Sequence, residues 1–429
     1  MATNKRYNPR YTVDWWLISV STIKRSIIGF ILFVVGFSIY FALRMYLDHR
    51  TEIARAAAGD SDINRKPEKS GYFLDLEGDI KVKKNGTFEW LPANKRMNLN
   101  TGDLVKTGDN SSAHILSFDG TEYTVKSQSL MMIQSSSEDS QTKVRNVAIK
   151  LSSGAIDMST AKRNQAGSST ELNSPTTSTR LGEMTQAGVT VNAESAKTSV
   201  QIYRGEGEIR SGGASMRLAP LESVTVSDGG AFESKVRILP PPDLIEPSNL
   251  KQIASPDLSK ELVYIAWRQV EGAKSFRLLV SPTPLFSTPL VDFHMSGKDL
   301  SVRVAGLIVG TYFWKAYAVD QNGIEGRPSE VRRFRIIAQD QRVQKFDVVP
   351  PALTVDEPRL SGNIALMRGR TEPGALLTIN GEQVDVESDG SFFHPAILPH
   401  SGQNELVVIA QDASGNENKI TKVVYAEFY

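Results

Sequence analysis

The sequence predicts all-β extracytoplasmic domains after a single N-terminal transmembrane helix. Three observations carry that expectation. An apolar run lies between two arginines near the N-terminus. From Gly71 onward, short alternating runs are separated by Gly, Asn, Asp and Ser. Two proline-rich stretches, residues 238–247 and 347–358, then interrupt that texture.

The apolar run, residues 26–43, holds eighteen uncharged residues between Arg25 and Arg44. As a helix it measures roughly 27 Å, close to the hydrocarbon thickness of a bilayer. A core helix of that length would show a polar face, yet Ser38 is the only hydroxyl residue between Ile27 and Ile39. A cleaved signal peptide would have a shorter apolar region and a small-residue site directly after it. Here the Ala56-Ala57-Ala58 triplet comes too far downstream, so the segment reads as an uncleaved signal anchor. Lys5, Arg6, Arg10, Lys24 and Arg25 precede it against Asp14, whereas Arg44, Arg50 and Arg55 beyond it are mixed with Asp48 and Glu52. By the positive-inside rule the N-terminus is cytoplasmic, and Trp15 and Trp16 read as an interfacial belt. The expected order is a cytoplasmic tail over residues 1–25, a transmembrane helix over 26–46 and a polar linker over 47–70. The localisation that follows is the bacterial inner membrane, crossed once, with the C-terminal domains periplasmic or extracellular.

Length and charge narrow the remainder. The 429 residues suffice for several domains, and the net charge of +1 divides into +4 for residues 1–25 and −3 for the rest. No basic face for nucleic acid is implied. The absence of cysteine excludes disulfides and thiol nucleophiles.

Prolines cannot continue a central strand, so the two proline-rich stretches delimit β domains at residues 71–237, 241–338 and 352–429. In the first, Gly-Asp pairs precede β-branched strands at Gly78-Asp79, Gly102-Asp103 and Gly108-Asp109, and Asp119-Gly120 turns a hairpin. These turns, with Trp90, Leu99, Thr107, Ser112-Ala113, Phe118 and Ser129-Leu130, resemble the FecR-type domain, whose namesakes are bacterial ferric-citrate-type signal transducers. The resemblance continues through residues 151–158, 198–209 and 218–230. Residues 174–191 depart from the family's Gly-Thr-x-Phe-like strand, which leaves strand pairing there unassigned. The aspartates of the Gly-Asp pairs read as turn formers.

In the second domain, Leu307, Gly310 and Tyr312 form the pattern of a tyrosine corner, and Trp267 sits on an early strand. Together they resemble a fibronectin type III sandwich. Alternation along a strand predicts that one of Phe313 and Trp314 faces in and the other partly out. In the third domain, Asn380-Gly381 and Asp389-Gly390 are hairpin signals between alternating strands. Its pattern resembles bacterial Ig-like domains of cell-surface and glucodextranase-type proteins, which are accessory rather than catalytic.

Chemistry-bearing constellations are sparse. His49, His114, His294, His394 and His400 are scattered, without metal-ligand spacing on one strand. Asp412, Ser414, Asn416 and Asn418 offer alternate oxygens but lack the distal glutamate of a calcium loop, so a solvated hairpin is expected. No Gly-x-Ser-x-Gly, P-loop or dinucleotide fingerprint occurs. The expectation is a protein that is not an enzyme, with no catalytic, cofactor or metal residues. Its function is to bind or scaffold an envelope protein or glycan partner from a single membrane span, without nucleic acid. The alternative, implied by the FecR resemblance, is a transmembrane signal transducer that regulates a sigma factor. The tail of about 25 residues before the span is too short to bury a core, and this favours the first reading.

Overall fold

Apolar side chains recur at every second position along most of the strands between Gly71 and Arg237, and that alternation folds the segment into two facing sheets. The computed structural model describes residues 70–427, apart from 140, 143, 163–166, 256–261, 339–348, 388 and 413–414. The expected tail and transmembrane helix, and all but the end of the expected linker, lie outside the described residues. Among the described residues no helix is long and apolar enough to cross a membrane.

Seventeen strands pair continuously from Gly71 to Arg237. One face is an antiparallel path from Gly71–Glu77 through Ser112–Leu116, Glu122–Val125, Arg145–Ser159, Gln186–Asn192 and Lys197–Arg204 to Glu222–Val226. The other joins Ile80–Lys83, Leu104–Thr107 and Leu130–Glu138 to the first half of Arg145–Ser159, which therefore belongs to both sheets. Phe73, Leu99, Val105, Ile149, Ile156, Val189 and Ile202 fill the space between them. Their removal from water is the main force holding the sheets together.

The Gly102-Asp103 pair behaves as turn chemistry dictates. Gly102 has φ of +90°, a conformation that favours glycine. Asp103 behind it is buried and accepts from the backbone N–H groups of Asn85 (2.8 Å) and Asn100 (2.9 Å) and from Lys84 Nζ (2.7 Å). Asp119 likewise accepts from Thr121 N and Oγ1. Within residues 174–191, where no pairing was assigned from sequence, Ser178–Leu181 pairs with Ser169–Asn173 and Gly207–Ser211, and Gln186–Asn192 lies inside the first sheet.

The second core, from Leu244 to Ile336, is a sandwich of a three-stranded sheet against a five-stranded one. Trp267 and Trp314 are fully buried, with the Trp267 ring 5.7 Å from that of Phe276, while Phe313 is only partly buried. Tyr312 makes the expected corner: its hydroxyl donates to Ile308 O (3.0 Å) and accepts from Ile308 N (3.1 Å). The third core, from Leu353 to Ala426, is a second sandwich. Asn380-Gly381 turns the hairpin between Leu376–Ile379 and Glu382–Val384.

All three cores lie within one compact unit, Pro67–Tyr429. Tyr72 and Leu116 of the first domain pack with Ile364 of the third. Lys95 of the first pairs with Asp385 of the third at 2.7 Å. Glu77 of the first accepts the backbone N–H groups of Leu285 (2.8 Å) and Ser287 (3.1 Å) of the second.

Candidate functional site

Strand alternation that buries Tyr123, Ile156, Met158, Val189, Val200 and Ile202 sends the intervening residues to the opposite face of the same sheet. The register aligns five of them in one row, His114, Thr124, Asp157, Gly188 and Gln201, each opposite the next on the neighbouring strand. The second domain covers this row with residues from the outward face of its five-stranded sheet, where Leu279 stands opposite Lys315 and Arg277 opposite Tyr317. Between the two faces lie adjoining cavities of about 920 Å³ and 460 Å³ that share Thr124, Asp157 and Tyr203.

Close packing sets the geometry of the smaller cavity. A methyl group at Gly188 would stand 2.6 Å from Tyr203 Oη and 3.1 Å from Asp157 Oδ1, so only glycine lets these groups approach. Tyr203 donates to Gln201 Oε1 at 2.9 Å. Asp157 Oδ2 pairs with Lys126 Nζ at 2.8 Å, whereas its Oδ1 is buried without a hydrogen-bond partner. An orphaned carboxylate oxygen is costly, and it marks a place for a donor.

Opposite stands Lys315, with Nζ 4.2 Å from the Phe286 ring centroid. Loss of water around it, and then the charge of Lys126, push its pKa down to about 8. Burial, followed by the Asp157 carboxylate, holds Tyr203 and Tyr317 well above the usual phenol range. Arg277 is balanced by Asp292, bidentate at 2.7 Å, and by Glu325 at 2.7 Å. The hydrogen bonds to Asp292 raise its pKa most and lower that of Asp292. The larger cavity is bounded by Pro241 and Pro242 of the first proline-rich stretch and by Arg327, whose Nη2 donates to Gln186 Oε1 at 2.8 Å. The arrangement suits binding: paired charges, two phenols, a lysine with a depressed pKa and an unsatisfied acceptor.

Sequence reasoning named none of these as site residues. Asp157, Tyr203 and Lys315 come from strands far apart in the chain and form no local motif. Of the histidines it weighed, His114 lies on the cleft wall, 3.0 Å from Glu122. His394 is buried in the third domain, 3.5 Å from Glu382, which it holds below the usual carboxylate range. His400 contacts Gln403 O. Among the described residues no group of three or more His, Cys, Asp or Glu side chains is placed to hold a metal ion. Asp412 accepts from Asn416 N (2.9 Å) and Nδ2 (2.8 Å), as in a hairpin, while residues 413–414 lie outside the described residues.

Residues 103–206 match the family model of the FecR protein, and residues 371–428 match that of glucodextranase domain B. No curated protein matches the chain. Among solved structures, the chain is similar to a candidate anti-sigma factor from Parabacteroides distasonis at 16% identity and a TM-score of 0.27. That likeness covers 31% of this chain and 59% of the other. A second such structure from the same organism has 13% identity and the same TM-score of 0.27, over 36% of this chain and 79% of the other. The fibronectin(III)-like modules of Clostridium thermocellum CbhA match at 14% identity and a TM-score of 0.18, over 44% of this chain and 94% of theirs. Residues 103–206 are thus FecR-like and residues 371–428 are of the glucodextranase domain B type, with a sandwich of a three-stranded and a five-stranded sheet between them.

Proposed function

We propose that the chain is a non-enzymatic envelope signal transducer of the FecR type. It is anchored in the inner membrane by residues 26–46, with residues 1–25 in the cytoplasm and the β domains outside. The FecR-like domain receives an extracytoplasmic partner at its cleft with the second domain, and residues 1–25 pass the event to a sigma factor. One observation supports this reading above the scaffold: the segment that matches the FecR family, residues 103–206, supplies the Thr124, Asp157, Gly188 and Tyr203 wall of the cleft. A partner donor seated on Asp157 Oδ1 would satisfy an acceptor that docking leaves bare.

Transcription tests the proposal. Replacing residues 1–22 with an unrelated basic sequence keeps the positive flank. This swap and deletion of residues 71–237 are expected to alter one shared set of promoters. If neither change touches transcription, the scaffold reading takes its place.

A further inference from the structure

Ser70 is the first described residue, and its Oγ donates to Asn100 Oδ1 at 2.7 Å. Asn100 donates its backbone N–H to Asp103, whose carboxylate also accepts from Asn85 N and Lys84 Nζ. This chain of contacts ties the end where residues 1–69 join the β domains to the start of the loop over residues 84–91. The loop carries Phe88, 97% exposed, with Trp90 and Leu91 beside it at 36% and 41%. A phenylalanine left in water forgoes the free energy of burial. Lys83 Nζ lies 5.7 Å from the Trp90 ring centroid, and Lys81 stands opposite Lys106 on the strands that lead to the loop. Aromatic side chains flanked by lysines are the composition of segments that sit at a bilayer surface.

We propose that the loop over residues 84–91 is a second membrane contact, with Phe88 and Trp90 seated in the headgroup region and Lys83 and Lys106 facing anionic lipid. The occupant is the bilayer in which residues 26–46 are read as the span. The residues between, 47–69, number 23, and the Ser70 end of the FecR-like domain follows them directly in the chain. The contact holds the domain at a fixed attitude to the membrane, so that the cleft presents one way. It rests on the reading of residues 26–46 and is independent of any sigma-factor contact.

The chain contains no cysteine, so a single one can be labelled cleanly. The full chain bearing Phe88→Cys with an environment-sensitive fluorophore is reconstituted into vesicles of phosphatidylethanolamine and phosphatidylglycerol with nitroxide-labelled acyl chains. A second chain carries the label at Tyr425→Cys, a 70% exposed site in the third domain. The expected result is a blue-shifted probe at residue 88, quenched several-fold more strongly by the lipid nitroxides than the probe at residue 425. Equal, water-like signals at both positions would overturn the proposal. A blue shift without lipid quenching would assign the loop to a protein partner instead. Failure of the chain to float with the vesicles would remove the anchor and the contact together.

Discussion

The carboxylate of Glu77 accepts the backbone N–H of Leu285, 208 positions away in the chain, at 2.8 Å. Its second oxygen takes the N–H of Ser287 at 3.1 Å, so one side chain of the FecR-like domain organises a loop of the second domain beside the cleft. Hydrogen bonds to a charged group are worth about 1.5–3 kcal/mol. Glu77→Ala should therefore speed amide exchange at Leu285 and Ser287 by roughly ten-fold or more, since 1.4 kcal/mol is a factor of ten, and leave the third domain's exchange unchanged. Unaltered exchange at both amides would show that the contact does not hold the loop.

Lys95 makes two ion pairs of unequal standing. Its partner Asp75, at 3.2 Å, is as sheltered as the lysine, with side-chain exposures of 19% and 21%, whereas Asp385, at 2.7 Å, is 61% exposed. Burial holds the Asp75 pKa above the usual carboxylate range even though the Lys95 charge lowers it. Exposed pairs contribute up to about 1 kcal/mol, so Asp385→Asn should cost less than that. Lys95→Met should cost more, because it leaves Asp75 sheltered without its cation. Urea midpoints of the two variants decide the order, and the reverse order would contradict this account.

Lys315 gives the docked domains a pH dependence whose sign is fixed. Its pKa in the folded chain, about 8, lies below its ordinary 10.5, so the folded state disfavours the proton. Stability is lowest while both states carry that proton and rises as the pH climbs from about 8 toward 10.5. Tyr203 and Tyr317 act oppositely. Their pKa values are raised from 10.0, so their contribution is present below that value and is lost above it. The rising limb therefore lies between about 8 and about 10, and Lys315→Met should flatten it. A wild-type urea midpoint that falls across this interval would contradict the assignment.

Tyr312→Phe removes a hydroxyl that both donates to and accepts from the backbone of Ile308. The expected loss is about 1–2 kcal/mol in the second domain. An unchanged denaturant midpoint would remove the corner from the list of contacts that stabilise the sandwich.

What could be read from the sequence was what short range dictates. The Gly102-Asp103 turn, the Asn380-Gly381 hairpin, the Tyr312 corner and the division of Phe313 and Trp314 into one inward and one partly outward ring each follow from residues within a few positions of one another. Residues 174–191 were opaque in part because Thr179, fully buried, occupies a place in Ser178–Leu181 where an apolar side chain would have signalled a strand. The cleft was opaque for a different reason. His114, Asp157 and Tyr203 look like ordinary outward residues of alternating strands, and only docking of the second domain places Lys315 and Tyr317 against them.

The central claim, that this FecR-like chain links an envelope event to transcription, is tested most directly by cross-linking in intact cells followed by purification. The wild-type chain should capture a cytoplasmic sigma factor together with an envelope partner. The chain with residues 1–22 replaced should keep the envelope partner and lose the sigma factor. Recovery of the same envelope proteins from both chains, with no sigma factor from either, would contradict the account.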